Sequence, residues 1–158
     1  MQINIGKVED YKPIKFVNNK YIISWGLSDN KESAPKWYYF MKDYKPSVSD
    51  IKYEIESYIN ERTKNNIINN FKWNNMVIHL SLENQLNYKL LFDVTMLEDG
   101  NNLPQTIKFK YRRENVYYTF ETLEEMKDFI IAMNKHIRKC ILEGNELKES
   151  IDYSVYED

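Results

Sequence analysis

The chain has 158 residues, 42% hydrophobic and 29% charged, with a formal net charge of −2; this suits one domain, or one domain with a small N-terminal attachment. Its cations are scattered, whereas a nucleic-acid partner needs a concentrated basic stripe, so no nucleic-acid binding is expected. The lone Cys140 excludes an internal disulfide and every multi-cysteine zinc pattern, and no apolar run approaches the ~20 residues of a membrane helix.

The opening "MQINIGKVED" reads as polar and strand-like rather than as a signal peptide, so folding in a reducing cytoplasm is expected. Residues 1–45 read as a small β-rich region. "KYIISWGL" puts Tyr21, Ile23 and Trp25 on one side, and "KWYYFM" does the same for Trp37, Tyr39 and Met41, with "SDNKESAP" as the connecting loop. Behind Pro46, Ser47 and Asp50 make an S-x-x-D helix start. Val48, Ile51, Ile55, Tyr58, Ile59, Ile67, Ile68 and Phe71 then supply one apolar stripe, which ends in the Asn-rich "NNIINNF".

Next comes a hairpin. Phe71-Lys72-Trp73 and Met76-Val77-Ile78 flank Asn74-Asn75, and asparagine tolerates the positive φ that a two-residue turn demands. Ser81 caps a helix whose apolar stripe is Leu82, Leu86, Leu90, Val94 and Leu97, with Glu83 and Asn84 in its first turn. After the loop "EDGNNLP", Ile107, Phe109 and Tyr111 alternate, "RREN" turns, and Val116, Tyr118 and Phe120 alternate back.

Thr122 and Glu125 then form a capping box. The last helix carries Leu123, Met126, Ile130, Met133, Ile137, Cys140, Gly144, Leu147 and Ile151, a heptad seam about 43 Å long if unbroken. Gly144 predicts a break or bend in it. A seam of that length needs a long partner: the helix after Pro46 covers part of it, and another subunit is expected to cover the rest. The closing "DYSVYED" reads as a tail, disordered alone or docked on a neighbour.

Chemistry is poorly marked. His79 and Glu83 are separated by a strand-to-helix junction, and no H-E-x-x-H is present. His136 and Cys140 are one helical turn apart, but two ligands make an incomplete metal site, and a seam cysteine behaves as a small hydrophobe. Phosphate-binding glycine loops and the G-x-S-x-G nucleophile motif are lacking. The expectation is therefore a non-enzymatic protein with no metal and no cofactor. Trp25, Trp37, Tyr38, Tyr39 and Trp73 are open to two readings, a stacking surface or a small core.

The order of parts, with "LSLENQLNYK", "LPQTIKFK" and "YYTFETLEEM" as its most specific elements, resembles a family of uncharacterised domains in bacteriophage tail-fibre and other virion proteins. It is closest in wording to versions from phages of gut Bacteroidales, including the crAss-like group, over roughly residues 46–155. These elements are capping and packing signatures, so the resemblance implies architecture and setting and no activity. It implies a fibre-associated component, made in the host bacterial cytoplasm and carried in the virion, whose partners are fibre, capsid or tail subunits.

Together these readings give an α+β fold with two β-hairpins and three helices. The expected divisions are 1–45, a 46–152 virion domain and a 153–158 tail. A dimer or trimer would form through Trp25, Trp37, Tyr39, Met126, Ile130, Met133, Ile137, Leu147 and Ile151. A carbohydrate-binding module and a fibre-assembly chaperone are the alternative functions.

Overall fold

Two asparagine pairs reverse the chain. Asn74 and Asn75 have φ of 46° and 64°, and Asn18 and Asn19 repeat the arrangement at 50° and 61°. Both pairs occupy the left-handed region that such hairpin turns require. The first was expected; the second carries the same dipeptide signal and also joins two strands. These features come from a computed structural model, which describes residues 4–7, 12–27, 36–111 and 114–157. The loop expected at "SDNKESAP" and the arginines of "RREN" lie outside the described residues.

The fold is α+β. Strands β1 (Asn4–Lys7), β2 (Ile14–Val17), β3 (Lys20–Leu27) and β4 (Lys36–Lys42) form an antiparallel sheet in the order β1-β4-β3-β2. Pairing slips by one residue between Trp25 and Leu27, where Gly26 takes a φ of +52°. That bulge takes a left-handed backbone, which glycine adopts without steric penalty.

The chain continues through α1 (Val48–Asn69), the hairpin of β5 (Phe71–Trp73) and β6 (Met76–Ile78), and α2 (Leu82–Leu97). It ends with the hairpin of β7 (Gln105–Tyr111) and β8 (Glu114–Phe120) and with α3 (Leu123–Glu149).

Each helix starts where its capping residues stand. Ser47 Oγ accepts from Asp50 N–H at 3.2 Å, while the Asp50 carboxylate accepts from Ser47 N–H at 3.1 Å, a reciprocal box. Ser81 Oγ accepts from Asn84 N–H, and Thr122 Oγ1 from Glu125 N–H, each at 3.2 Å.

The residues group into two compact units, Met1–Ile59 with Leu147–Asp158, and Asn60–Glu146. The division falls inside α1 and α3 and not at residue 45. In the first unit the opening turns of α1 bury Ile51, Ile55 and Ile59 against Ile23, Trp25 and Phe40. The β-rich region therefore shares its core with that helix. The tail also differs from expectation: Ser154–Tyr156 form a short 3-10 turn, Tyr156 is buried in the same core, and its hydroxyl donates to Ser24 O at 2.6 Å. A ring with one polar tip finds both an apolar site and an acceptor there.

In the second unit Phe129 sits at the centre of an aromatic cluster. Its ring centroid lies 5.3–5.8 Å from those of Phe71, Trp73, Tyr88, Phe109 and Phe120. Edge-to-face and tilted contacts of this kind add to simple area burial. A polar node lies beside it: Asn74 Nδ2 donates to Tyr118 Oη at 2.6 Å, and Tyr118 donates to the Glu125 carboxylate. The first turn, the second hairpin and the start of α3 are thereby tied together.

Gly144 does not break α3, which runs continuously through 27 residues. The glycine is buried, and a Cβ on it would lie 2.3 Å from Thr63 Oγ1 of α1. Its place in the seam serves close helix approach.

Candidate docking surface

The rotation of α2 about its axis is set at its start. Asn84 Nδ2 reaches back to His79 O and Gln85 Nε2 to Leu80 O, both at 2.8 Å, so these two amides face the strand the helix has just left. One and two turns further on, that face carries Tyr88, Leu91, Phe92 and Thr95. Tyr88 and Thr95 are buried, and Leu91 and Phe92 pack against the aromatic core.

The leucine stripe consequently points the other way. Leu82 is 80% exposed, Leu97 84%, and Leu86, Leu90 and Val94 about half. Steps of four, four, four and three residues place them along one ridge of the helix. Isolated exposed leucines are ordinary; a continuous apolar ridge of five residues on one helix is a candidate interaction site.

Beside the ridge runs a groove of about 360 Å³ between α2 and α3, with Leu82, Leu86 and Phe92 on one wall and Ile130, Met133 and Ile137 on the other. Lys89 and Asp93 pair across one turn of α2 at 2.5 Å, and both line the same groove. Ridge and groove form one apolar face with a charged pair at its middle.

The residues expected to form an interface divide into three groups. Trp25, Met126, Ile130 and Met133 are buried in the cores of their own units, Ile130 and Met133 showing only an edge to the groove. Trp25 stacks on Tyr38 with centroids 5.6 Å apart. Leu147 and Ile151 pack, partly buried, against the first unit's core. Trp37, Tyr39 and Ile137 are half-buried: the two aromatics lie on the side of β4 opposite Tyr38 and Phe40, and Ile137 packs against the second core and lines the groove. The seam of α3 is thus largely satisfied within the chain, and the ridge of α2 takes over as the candidate surface.

The two histidines act as hydrogen-bonding struts. His79 Nδ1 lies 3.1 Å from Asn69 Oδ1. His136 Nε2 lies 3.2 Å from both Asn66 O and Ile67 O, in the last turn of α1. That turn contains no basic residue of its own, so α3 supplies the donor that its carbonyls and negative dipole end favour. Cys140 Sγ is 3.8 Å from His136, but burial, reinforced by Glu143, raises the thiol above its ordinary range. A raised, buried thiol is the reverse of an activated nucleophile. Among the described residues no group of three or more His, Cys, Asp or Glu is placed to hold a metal ion, and no helix is long and apolar enough to cross a membrane.

No protein-family model matches the chain, nor does any curated protein or solved structure.

Proposed function

We propose that this chain is a non-enzymatic structural component of a bacteriophage virion, associated with a tail or head fibre and acting by protein–protein docking. The observation that carries the docking role is the exposed leucine ridge of α2 with its adjoining groove. An apolar face of that length gains free energy when a neighbouring subunit covers it. The particle setting is supported by the resemblance of "LSLENQLNYK", "LPQTIKFK" and "YYTFETLEEM" to virion domains. A carbohydrate-binding role would rest on Trp37 and Tyr39, since Trp25 and Trp73 pack against Tyr38 and Phe129.

Quantitative mass spectrometry of purified particles tests this reading. A structural component is present at a fixed copy number relative to the fibre and capsid proteins. Presence in infected cells with absence from finished particles would instead identify an assembly chaperone.

A further inference from the structure

We infer that the outward face of α2 is a self-association surface, and that its occupant is the same face of a second copy, packed antiparallel about a two-fold axis crossing near residue 91. The order of side chains along the ridge points to this partner. Reading outward from Leu91, Lys89 and Asp93 lie two residues to either side, and Leu86 and Met96 five. Antiparallel pairing about that point sets Lys89 of each copy against Asp93 of the other and Leu86 against Met96. Apolar surface then meets apolar surface, and cation meets anion twice. Parallel pairing would set Lys89 against Lys89 and Asp93 against Asp93, which costs free energy at a closed interface. A two-fold interface must be self-complementary, and the charges of this face meet that condition antiparallel but not parallel.

The size of the face agrees. The 16 residues of α2 span about 24 Å, and with the wall of α3 beside them the face is roughly 20 Å wide, so about 500 Å² of each copy is available. That is near the lower end for a specific interface and corresponds to a dimer of modest, micromolar strength. Exposed Ile141 and partly buried Ile137 extend the α3 wall, so two α2–α3 pairs would pack as a four-helix arrangement. Glu83 would approach Glu98 and Asp99 of the other copy at the rim. Solvent and salt screen that repulsion.

Self-association belongs to the isolated chain. Its failure would leave the particle role standing, and absence from particles would leave the dimer standing.

Sedimentation equilibrium of the purified full chain tests the inference, with circular dichroism confirming that each variant is folded. The natural chain is expected to be a reversible dimer, and Leu86→Glu should weaken it by about 30-fold or more. Lys89→Glu and Asp93→Lys should each weaken self-association by roughly tenfold, because each creates two like-charge contacts. Mixing those two variants should restore a heterodimer, since the acidic helix then faces the basic one. If Leu86→Glu disturbs folding, the mixing experiment decides alone. A monomeric natural chain at submillimolar concentration, a dimer indifferent to Leu86→Glu, or a mixture showing no preference for the heterodimer would each overturn the inference.

Discussion

Gly144 of α3 and Thr63 of α1 are in such close approach that a methyl group on the glycine would come within 2.3 Å of the threonine hydroxyl. In an exposed helix, alanine in place of glycine stabilises by about 1 kcal/mol. Here the sign reverses. Gly144→Ala should lose about 1–3 kcal/mol in urea denaturation, because Thr63 is β-branched and has few rotamers to retreat into. Thr63→Ala in the same chain should recover most of that loss. Equal destabilisation with and without Thr63 would place the fault elsewhere.

His136 bridges to the last turn of α1 while its ring packs at 5.5 Å from Phe71. His136→Phe keeps a ring in place and removes only the donor. It should cost about 1–2 kcal/mol at neutral pH, the penalty for taking the imidazole donor from the helix-end carbonyls. A change within a few tenths of a kcal/mol would show that water substitutes for the imidazole.

Tyr88 is buried at 6% exposure, and its hydroxyl has no hydrogen-bond partner among the described residues. Burial moves its pKa from 10.0 to about 12. A neutral phenol kept protonated in the fold and released in the unfolded chain makes the native state bind more protons, so stability falls as pH rises through this interval. Tyr88→Phe should be neutral or slightly stabilising at pH 7, because it removes an unsatisfied polar group. It should also flatten the alkaline loss between about pH 10 and 12 by roughly 2 kcal/mol. An unchanged alkaline limb would mean that the hydroxyl is solvated.

Tyr156 closes the first unit's core from the end of the chain. Tyr156→Phe should cost about 1–2 kcal/mol, since the Ser24 carbonyl loses its donor. Tyr156→Ala should cost about 3–5 kcal/mol. It should also shift tryptophan emission to longer wavelength as water reaches Trp25, which shares that core. Wild-type emission and stability in Tyr156→Ala would show that the tail is dispensable.

Local signals were the legible part of the sequence. The Asn74-Asn75 turn and the caps at Ser47, Ser81 and Thr122 stand where short-range hydrogen bonding requires them. Asn18-Asn19 carried the same turn signal within the strand-rich region. Facing was harder to read. On β4, Trp37, Tyr39 and Met41 alternate with Tyr38 and Phe40, so both faces are apolar and a period of two cannot choose between them. The core took Phe40, with Tyr38 packed against it.

The same ambiguity governs α2, where a stripe of leucines competes with Tyr88, Leu91, Phe92 and Thr95. The aromatic cluster around Phe129 selects the second set, because only those side chains reach it once Asn84 and Gln85 have fixed the helix start. Gly144 read locally as a helix breaker; its meaning lay in Thr63, a contact far away in sequence.

Oxidative cross-linking at single introduced cysteines tests the role of the α2 ridge most directly, since Cys140 is buried. Antiparallel crossing near residue 91 brings position 90 beside its own copy, within disulfide reach, and holds the two copies of position 82 about 27 Å apart along the axis. Leu90→Cys should therefore give a covalent dimer while Leu82→Cys stays monomeric. Cross-linking at neither position, or equally at both, would contradict the antiparallel pairing of two α2 ridges.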